Sequence, residues 1–161
     1  MGCSADLQSE GVAVRWTQAS EERVAYIAAN LREADKTEVW LSHMATPYEA
    51  VFDSWAASEI CRCIETDGGE AVGLTGLVGN RIWMLGTEDL TATKRRRLQL
   101  CNEGRGWVEH CLDVAGMPIG NDVYAKNTQS IRWLKHLGFT VADPRPMGHA
   151  AALFSEFWRA A

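Results

Sequence analysis

The side chains with the clearest chemical potential in this sequence stand at the start of a predicted helix, in the segment Asn127-Thr128-Gln129-Ser130. The Asn127 side-chain oxygen can accept one of the free backbone N–H groups of the first helical turn. The same amide can instead hydrogen-bond a ligand, and Ser130 offers a weaker version of the same choice. Helix capping and ligand binding both stay open for these residues.

A second feature with chemical potential is the run of four basic residues from Lys94 to Arg97, close to the predicted start of a long helix at Thr91. The free N–H groups and the dipole of a helix N-terminus attract anions. The run can therefore bind an anionic ligand. The alternatives are a solvated helix face and a contact with another macromolecule.

The elements around Asn127 form a recognisable unit. Residues 121–126 predict a strand, and Asn127 follows it directly. Apolar residues then recur at helical spacing, as Ile131, Leu134 and Leu137. Gly138 stands where a left-handed residue ends a helix, and Phe139 can fold back onto the last turn. The unit is strand, asparagine, amphipathic helix, Gly-Phe, strand.

The remaining pattern mixes helices and strands. It predicts strands at 11–17, 61–65, 70–78, 81–86 and 150–157, helices from Ser20, from Pro47 through Ile60 and over 91–115, and a Pro-rich turn before the last strand. Residues 32–44 continue the helix that begins at Ser20 or form a second helix. We expect one α/β (α+β) domain over residues 12–161, with a flexible tail over residues 1–11. Its mixed sheet should be mostly antiparallel, with a parallel pair between strands 81–86 and 121–126.

Bulk properties exclude several classes of protein. The chain has 161 residues, 47% of them hydrophobic and 23% charged, which suits one globular domain. A net charge of −5 gives no general attraction to nucleic acid, and no apolar run is long enough to span a membrane. Five cysteines without a secretion signal predict reduced, mostly buried thiols, and we expect no metal site.

The order of elements, with Asn-x-x-Ser and Leu137-Gly138-Phe139 at this spacing, resembles the last conserved motif of the GNAT superfamily of acyl-CoA-dependent N-acyltransferases. Four further segments are similar to a GNAT-related family of short-tailed bacteriophages, described as acetyltransferases or as internal virion proteins. They are residues 31–35, 38–40, 82–87 and 131–134. The resemblance covers residues 12–145 and implies a GNAT-like fold.

The resemblance also implies a cofactor site for acetyl-CoA. In this fold the two parallel strands splay apart, and the pantetheine arm occupies the cleft and hydrogen-bonds backbone groups that the missing pairing leaves free. Pantetheine is then expected against Leu85, Gly86 and Thr87, with Asn127 beside it. The pyrophosphate is expected at the next helix N-terminus, around Thr91, Thr93, Lys94, Arg95 and Arg96. The glycines usual in that loop are missing from residues 91–97.

The catalytic residues that the resemblance implies are only partly present in this sequence. Many GNAT enzymes carry a tyrosine that reprotonates the departing thiolate, but the matching position, four residues after Ser130, is Leu134. Trp133 and His136 are its neighbours, and helical spacing directs them elsewhere. A carboxylate, directly or through water, can take the proton that an amine acceptor loses. We predict Glu33, Asn127 and Ser130 as catalytic residues. Other candidate carboxylates lie nearby: Asp35, Glu38, Glu88 and Asp89.

Two functions follow from the resemblance. The first is an N-acetyltransferase with weakened motifs, whose partners are acyl-CoA and an amine. The second is a non-catalytic, virion-associated phage protein with the same fold, whose partners are other virion proteins. Either function implies the host cytoplasm or the phage virion as location, with no membrane or specific nucleic-acid partner.

Overall fold

One mixed β-sheet forms the centre of the fold in the computed structural model, which describes residues 14–161. Its strands are β1 (Val14–Gln18), β2 (Ile60–Thr66), β3 (Ala71–Val78), β4 (Arg81–Gly86), β5 (Ile119–Tyr124), β6 (Thr140–Val141), β7 (Arg145–Met147) and β8 (Ala152–Arg159). The strand order is β1-β2-β3-β4-β5-β8-β6, with β7 paired to β8. Within that range β4 and β5 form the only parallel pair, so the predicted mixed and mostly antiparallel sheet is confirmed.

Helices cover both faces of the sheet. On one face lie α1 (Glu21–Ala29), α2 (Glu33–His43) and α3 (Pro47–Ala57), and on the other lie α4 (Lys94–Ala115) and α5 (Thr128–His136). Side chains of β4 alternate between the two cores, so that Ile82 packs with α4 and α5, and Leu85 packs with α1 and α3. The sheet is therefore buried from both sides around β4.

Local signals explain where the helices begin. Ser20 accepts the Arg23 N–H at 3.3 Å, and Thr46 and Glu49 form a capping box ahead of Pro47. Both starts were expected from the sequence. The long helix begins at Lys94 and not at Thr91, because Thr93 is its N-cap and accepts the Arg96 N–H at 3.1 Å. Residues 88–91 form a separate 3-10 helix that the pattern does not predict.

Other element boundaries differ from the prediction. The helix expected to reach Ile60 ends at Ala57, because Ile60 already pairs with Leu77 in β2. Strand β5 lies two residues earlier than expected, since Gly120 bonds the Asn80 carbonyl at 3.0 Å and the chain turns after Tyr124.

The Pro-rich segment before the last strand is more regular than predicted. It contains the short strand β7, in which Pro146 faces Leu153 of β8, a position that an edge strand tolerates. Strand β8 begins at Ala152, because Gly148 and Ala151 have positive φ angles in the preceding turn. The expected tail, residues 1–11, and the start of the first strand lie outside the described residues. Between residues 14 and 161 no helix is long and apolar enough to cross a membrane.

Candidate functional site: an opening between two diverging strands

Strands β4 and β5 touch at one end and then diverge. Their register contains a single pair, Arg81 with Gly120, and the Gly120 N–H bonds the Asn80 carbonyl at 3.0 Å. One step further, the Asn121 side-chain nitrogen bonds the Ile82 carbonyl at 3.0 Å, where a paired strand would supply a backbone N–H. Beyond this point the sheet is open.

On the open edge of β4, the backbone groups of every second residue face the opening. The Thr87 N–H bonds the Val72 carbonyl of β3, so Leu85, two residues earlier, also directs its backbone groups toward β3. Met84 and Gly86 direct theirs toward β5. The Gly86 N–H donates to Asp35 Oδ2 at 2.9 Å, and its carbonyl accepts the Arg32 N–H at 2.9 Å. Between Ile82 and Gly86, Met84 is the residue on this edge whose backbone groups have no partner within residues 14–161.

The open edge of β5 is also satisfied by side chains. The Asp122 N–H donates to Asn121 Oδ1 at 2.9 Å, and the Tyr124 N–H donates to Glu38 Oε1 at 3.2 Å. Because buried backbone groups need partners, these side chains stabilise the divergence of the strands. The opening is thus built by specific residues on α2 and β5.

Glu38 connects the two sides of the opening. Its Oε2 accepts the Asn127 side-chain nitrogen at 3.2 Å, while Asn127 Oδ1 accepts the Ser130 N–H at 3.3 Å and caps α5. Burial raises the pKa of Glu38 to about 7, with a further contribution from Asp35. The bonds from Asn127 and Tyr124 oppose that rise. Glu38 can therefore exchange a proton near neutral pH.

A cavity of about 380 Å³ runs through the opening, and we call it the acidic cavity. It is lined by α2 and α3 on one face of the sheet and by α4 and α5 on the other. Its ionisable lining residues are mostly acidic: Arg32, Asp35, Glu38, His43, Glu49, Asp53 and Asp122. A positively charged ligand is favoured here.

A second cavity, of about 350 Å³, lies between the start of α4 and α5, and we call it the basic cavity. Its basic lining residues are Arg32, Arg97, Arg132 and His136, and no carboxylate from residues 14–161 lines it. The two cavities share four lining residues, which we call the junction: Arg32, Met84, Ser130 and Trp133. An extended anionic ligand can enter from the basic cavity and reach the opening.

The residues predicted to bind the cofactor are only partly gathered at these cavities. Leu85 lines the acidic cavity and Thr91 the basic one, whereas the backbone groups of Gly86 and the Thr87 N–H already have partners within the protein. Thr93 caps α4.

The basic run is divided in a similar way. Arg97 lines the basic cavity, while the Arg96 guanidinium bonds the Asp89 carbonyl at 2.7 Å. Neither cavity is lined by Lys94, Arg95 or Arg96, which surround the N-terminus of α4.

The predicted catalytic residues are separated. Ser130 lines both cavities, and Asn127 contacts the acidic cavity through Glu38. Glu33 lines neither cavity: its side chain is 82% exposed and pairs with Lys36 at 3.0 Å. Glu88 caps α2 through the Glu33 N–H, at 3.0 Å.

Sequence reasoning missed three members of the junction. Trp133 faces both cavities although it had been set aside as a neighbour of Leu134, and Leu134 itself lines the acidic cavity. Arg32 and Met84 carried no signal beyond their places in segments similar to the phage family. Of these, only the indole of Trp133, one position before an apolar stripe residue, could have been noticed from spacing.

The cysteines within residues 14–161 are free thiols. Burial raises the pKa of Cys63 to about 11 and that of Cys111 to about 12. Both thiols are therefore protonated at neutral pH, which makes them poor nucleophiles. Neither lines one of the two cavities.

Solved structures similar to this chain include N-acetyltransferases. The spermidine N-acetyltransferase of Vibrio cholerae, in complex with CoA and spermine, has a TM-score of 0.64 at 8% identity over 91% of this chain and 95% of that one. Ard1 of Thermoplasma volcanium has a TM-score of 0.62 at 15% identity over 92% of this chain and 97% of that one. Aminoglycoside acetyltransferase AAC(6')-Ib, in complex with coenzyme A, has a TM-score of 0.61 at 14% identity over 91% of this chain and 94% of that one. No family model and no curated protein matches the sequence.

Proposed function

Because the chain has the fold of the GNAT N-acetyltransferases, we propose that it is an acyl-CoA-dependent N-acyltransferase that transfers an acetyl group from acetyl-CoA to an amine. The observation that carries this proposal is the opening between β4 and β5, where the strands pair only at Arg81 and Gly120 and a cavity passes between them. The fold alone would not be sufficient, since one fold hosts many functions.

The carrier is proposed to lie along the path from the basic cavity to the junction. Its phosphates meet the N-terminus of α4, where Thr91, Thr93 and the basic run supply donors and positive charge. The pantetheine amides pair with Met84, whose backbone N–H and carbonyl face the opening. Gly86 cannot pair with the pantetheine amides, because its N–H already bonds Asp35 and its carbonyl already accepts the Arg32 N–H.

The amine is proposed to enter the acidic cavity. Carboxylates of α2 and α3 attract a cation, and Glu38 borders the opening, where it accepts the Tyr124 N–H and the Asn127 side-chain N–H. A base whose pKa is near 7 can take the proton that an attacking amine loses. Glu38 is better placed for this role than Glu33, which is exposed and outside both cavities. Related folds accept spermine and aminoglycosides, so polyamines and aminoglycosides are sensible first acceptors to assay.

Isothermal titration of the full chain with acetyl-CoA tests the proposal. We expect saturable binding, and Met84→Pro should weaken it at least about tenfold, because proline removes the N–H that faces the opening. Met84→Ala is the matched control, since it shortens the side chain and keeps the N–H. Thermal melting of both variants checks that the strand still forms. An absence of binding heat for the unmodified chain at millimolar acetyl-CoA would refute the proposal.

The alternative is a non-catalytic phage protein that keeps the fold and associates with the virion. Two features favour it: Leu134 at the position of the general-acid tyrosine, and the absence of glycine from residues 91–97. This alternative predicts that mass spectrometry detects the chain in purified virions and that the chain does not bind acetyl-CoA. Its absence from purified virions would remove the alternative.

A further inference from the structure

The junction is the place where the two cavities meet. Arg32, Met84, Ser130 and Trp133 line both of them, so a ligand that extends from one cavity into the other must pass these residues. In the N-acyltransferase proposed above, the carrier reaches the junction from one side and the acceptor from the other. The bond that is broken should therefore lie here.

Polar groups that can still bind a ligand meet at the junction. Within residues 14–161, the buried Trp133 Nε1 has no hydrogen-bond partner, whereas Arg32 Nε lies in an ion pair with Asp35. A buried donor without a partner costs about 1–3 kcal/mol, so the Trp133 indole N–H requires an explanation. Both residues belong to the junction, and the free backbone groups of Met84 lie there as well. This coincidence indicates a polar ligand group.

Arg32 brings a positive charge to this place. Its side chain is only 11% exposed, and its Nε lies 2.8 Å from Asp35 Oδ2, an ion pair without the N–H···O geometry of a hydrogen bond. Because that ion pair is made through Nε, the two terminal nitrogens of the guanidinium can face a second anion. Asp35 also accepts the Gly86 N–H, so part of its own charge is compensated elsewhere. Arginine does not lose its proton in proteins, so it can stabilise an anion but cannot act as a general acid.

We propose that Arg32 and Trp133 hold the reacting thioester at the junction, and that Arg32 stabilises the departing thiolate in place of the missing tyrosine. This inference rests on the proposed N-acyltransferase function. The neutral amine nitrogen attacks the thioester carbonyl carbon, and the carbonyl oxygen, as it gains charge, accepts the Trp133 Nε1–H. The C–N bond forms and the C–S bond breaks.

The products of this step balance without a protein acid. The amine nitrogen has released its ammonium proton to solvent before the attack. The proton that it loses as the amide forms passes to Glu38, and the electron pair of the broken bond leaves with sulfur as a thiolate. The thiolate stays beside the Arg32 guanidinium until it takes a proton from solvent on release. Leu134 therefore does not prevent catalysis, since charge stabilisation replaces proton donation at that step.

A pH titration of the CoA complex tests the role of Arg32 without requiring turnover. The ultraviolet absorbance of the thiolate reports the pKa of the bound CoA thiol, which we expect to lie at least about one unit below that of free CoA. The double variant Arg32→Gln/Asp35→Asn should restore the value of free CoA, and it leaves no unpaired carboxylate buried. Lys36→Gln removes one positive charge from α2 outside both cavities and should leave the bound thiol pKa low.

Kinetics test the role of Trp133. Trp133→Phe keeps an aromatic ring and removes the indole N–H, so kcat should fall about 10²-fold while the Kd of CoA changes less than about threefold. Two results would overturn this inference and leave the acyltransferase proposal standing. One is that the thiol of CoA bound to the unmodified protein has the same pKa as that of free CoA, and the other is that Trp133→Phe keeps full kcat. Failure of the unmodified chain to bind CoA at millimolar concentration overturns both.

Discussion

The acidic and basic cavities are nearly equal in size, about 380 and 350 Å³, but they differ in charge. The first is lined by five carboxylates, an arginine and a histidine, and the second by three arginines and a histidine. They meet at four shared residues. The difference supports our proposal that one opening serves two ligands of opposite charge, which reach it from different sides.

The charge difference follows from which helices line each cavity. Glu38 lies on α2, and Glu49 and Asp53 lie one turn apart on α3, so all three project from the face of the sheet that these helices cover. Arg97 and Arg132 lie on α4 and α5, which cover the other face. A sheet that opens between β4 and β5 connects the two environments, and the proposed reaction is placed at their boundary.

The largest expected effect concerns Glu38, which lines the acidic cavity beside the opening. Glu38→Gln should lower kcat/KM by about 10²- to 10⁴-fold, because an amide cannot accept the proton of the amine. The unmodified protein should show kcat/KM rising with pH through a pKa near 7, where Glu38 becomes ionised, and the variant should lack this rise. A pH-rate profile with one amine acceptor measures both effects.

Glu33→Gln separates the two candidate bases, because both residues lie on α2 and only Glu38 contacts the opening. If Glu33→Gln removes the rise near pH 7 and Glu38→Gln does not, the acidic cavity has been assigned the wrong base. The separation of the two cavities would then need another explanation.

A second large effect is expected at the closed end of the opening. Gly120 lies so close to β8 that an added Cβ would overlap the Phe157 carbonyl oxygen, a backbone atom that cannot move alone. Gly120→Ala should therefore lower the free energy of unfolding by about 3 kcal/mol, as for severe overpacking. Denaturant unfolding measures the loss.

Gly106→Ala is the matched control for this variant. Nothing lies within 4 Å of a Cβ added at Gly106, which is in the middle of α4. Alanine forms helix more readily than glycine, so this variant should be neutral or slightly stabilising. Equal stability of the two variants would show that the strands do not depend on the close approach at Gly120.

The sequence predicted the parts of this arrangement that depend on neighbours in the chain. Asn127 caps α5, Ser20 caps α1, and Pro47 opens α3, since each requires contacts only three or four residues away. The strand–asparagine–helix unit and the parallel position of β4 beside β5 were also predictable, because local patterns and connection rules determine them.

The contacts that hold the opening were beyond such reasoning. Glu38 lies 86 residues from Tyr124 and 89 from Asn127, and Asp35 lies 51 from Gly86. No periodicity relates residues at those separations. The pattern of residues 32–44 indicates a helix, but which of its carboxylates turns inward depends on how α2 packs against the sheet. Glu33 was for this reason as good a candidate as Glu38 until the fold was known.

A smaller effect is expected on stability. Because burial raises the pKa of Glu38 from 4.5 to about 7, the folded state binds more protons than the unfolded state between these values. Stability from this residue is fully present below about pH 4.5 and is lost as pH rises through about 7. Between pH 5 and pH 8, the free energy of unfolding of the unmodified protein should fall by about 1–3 kcal/mol relative to that of Glu38→Gln. Urea unfolding at both values measures it, and a difference independent of pH would contradict it.

The smallest effects should distinguish the two cavities most directly. Glu49→Gln and Asp53→Asn each remove an exposed charge from the acidic cavity and should raise the KM of the amine about two- to fivefold, leaving the Kd of CoA unchanged. Arg97→Gln and Arg132→Gln should raise the Kd of CoA by a similar factor and leave the KM of the amine unchanged. Both changes should shrink at high salt, because exposed charges are screened. If both pairs of variants affect the same ligand, the cavities do not separate carrier from acceptor, and the charge difference between them has no role in binding.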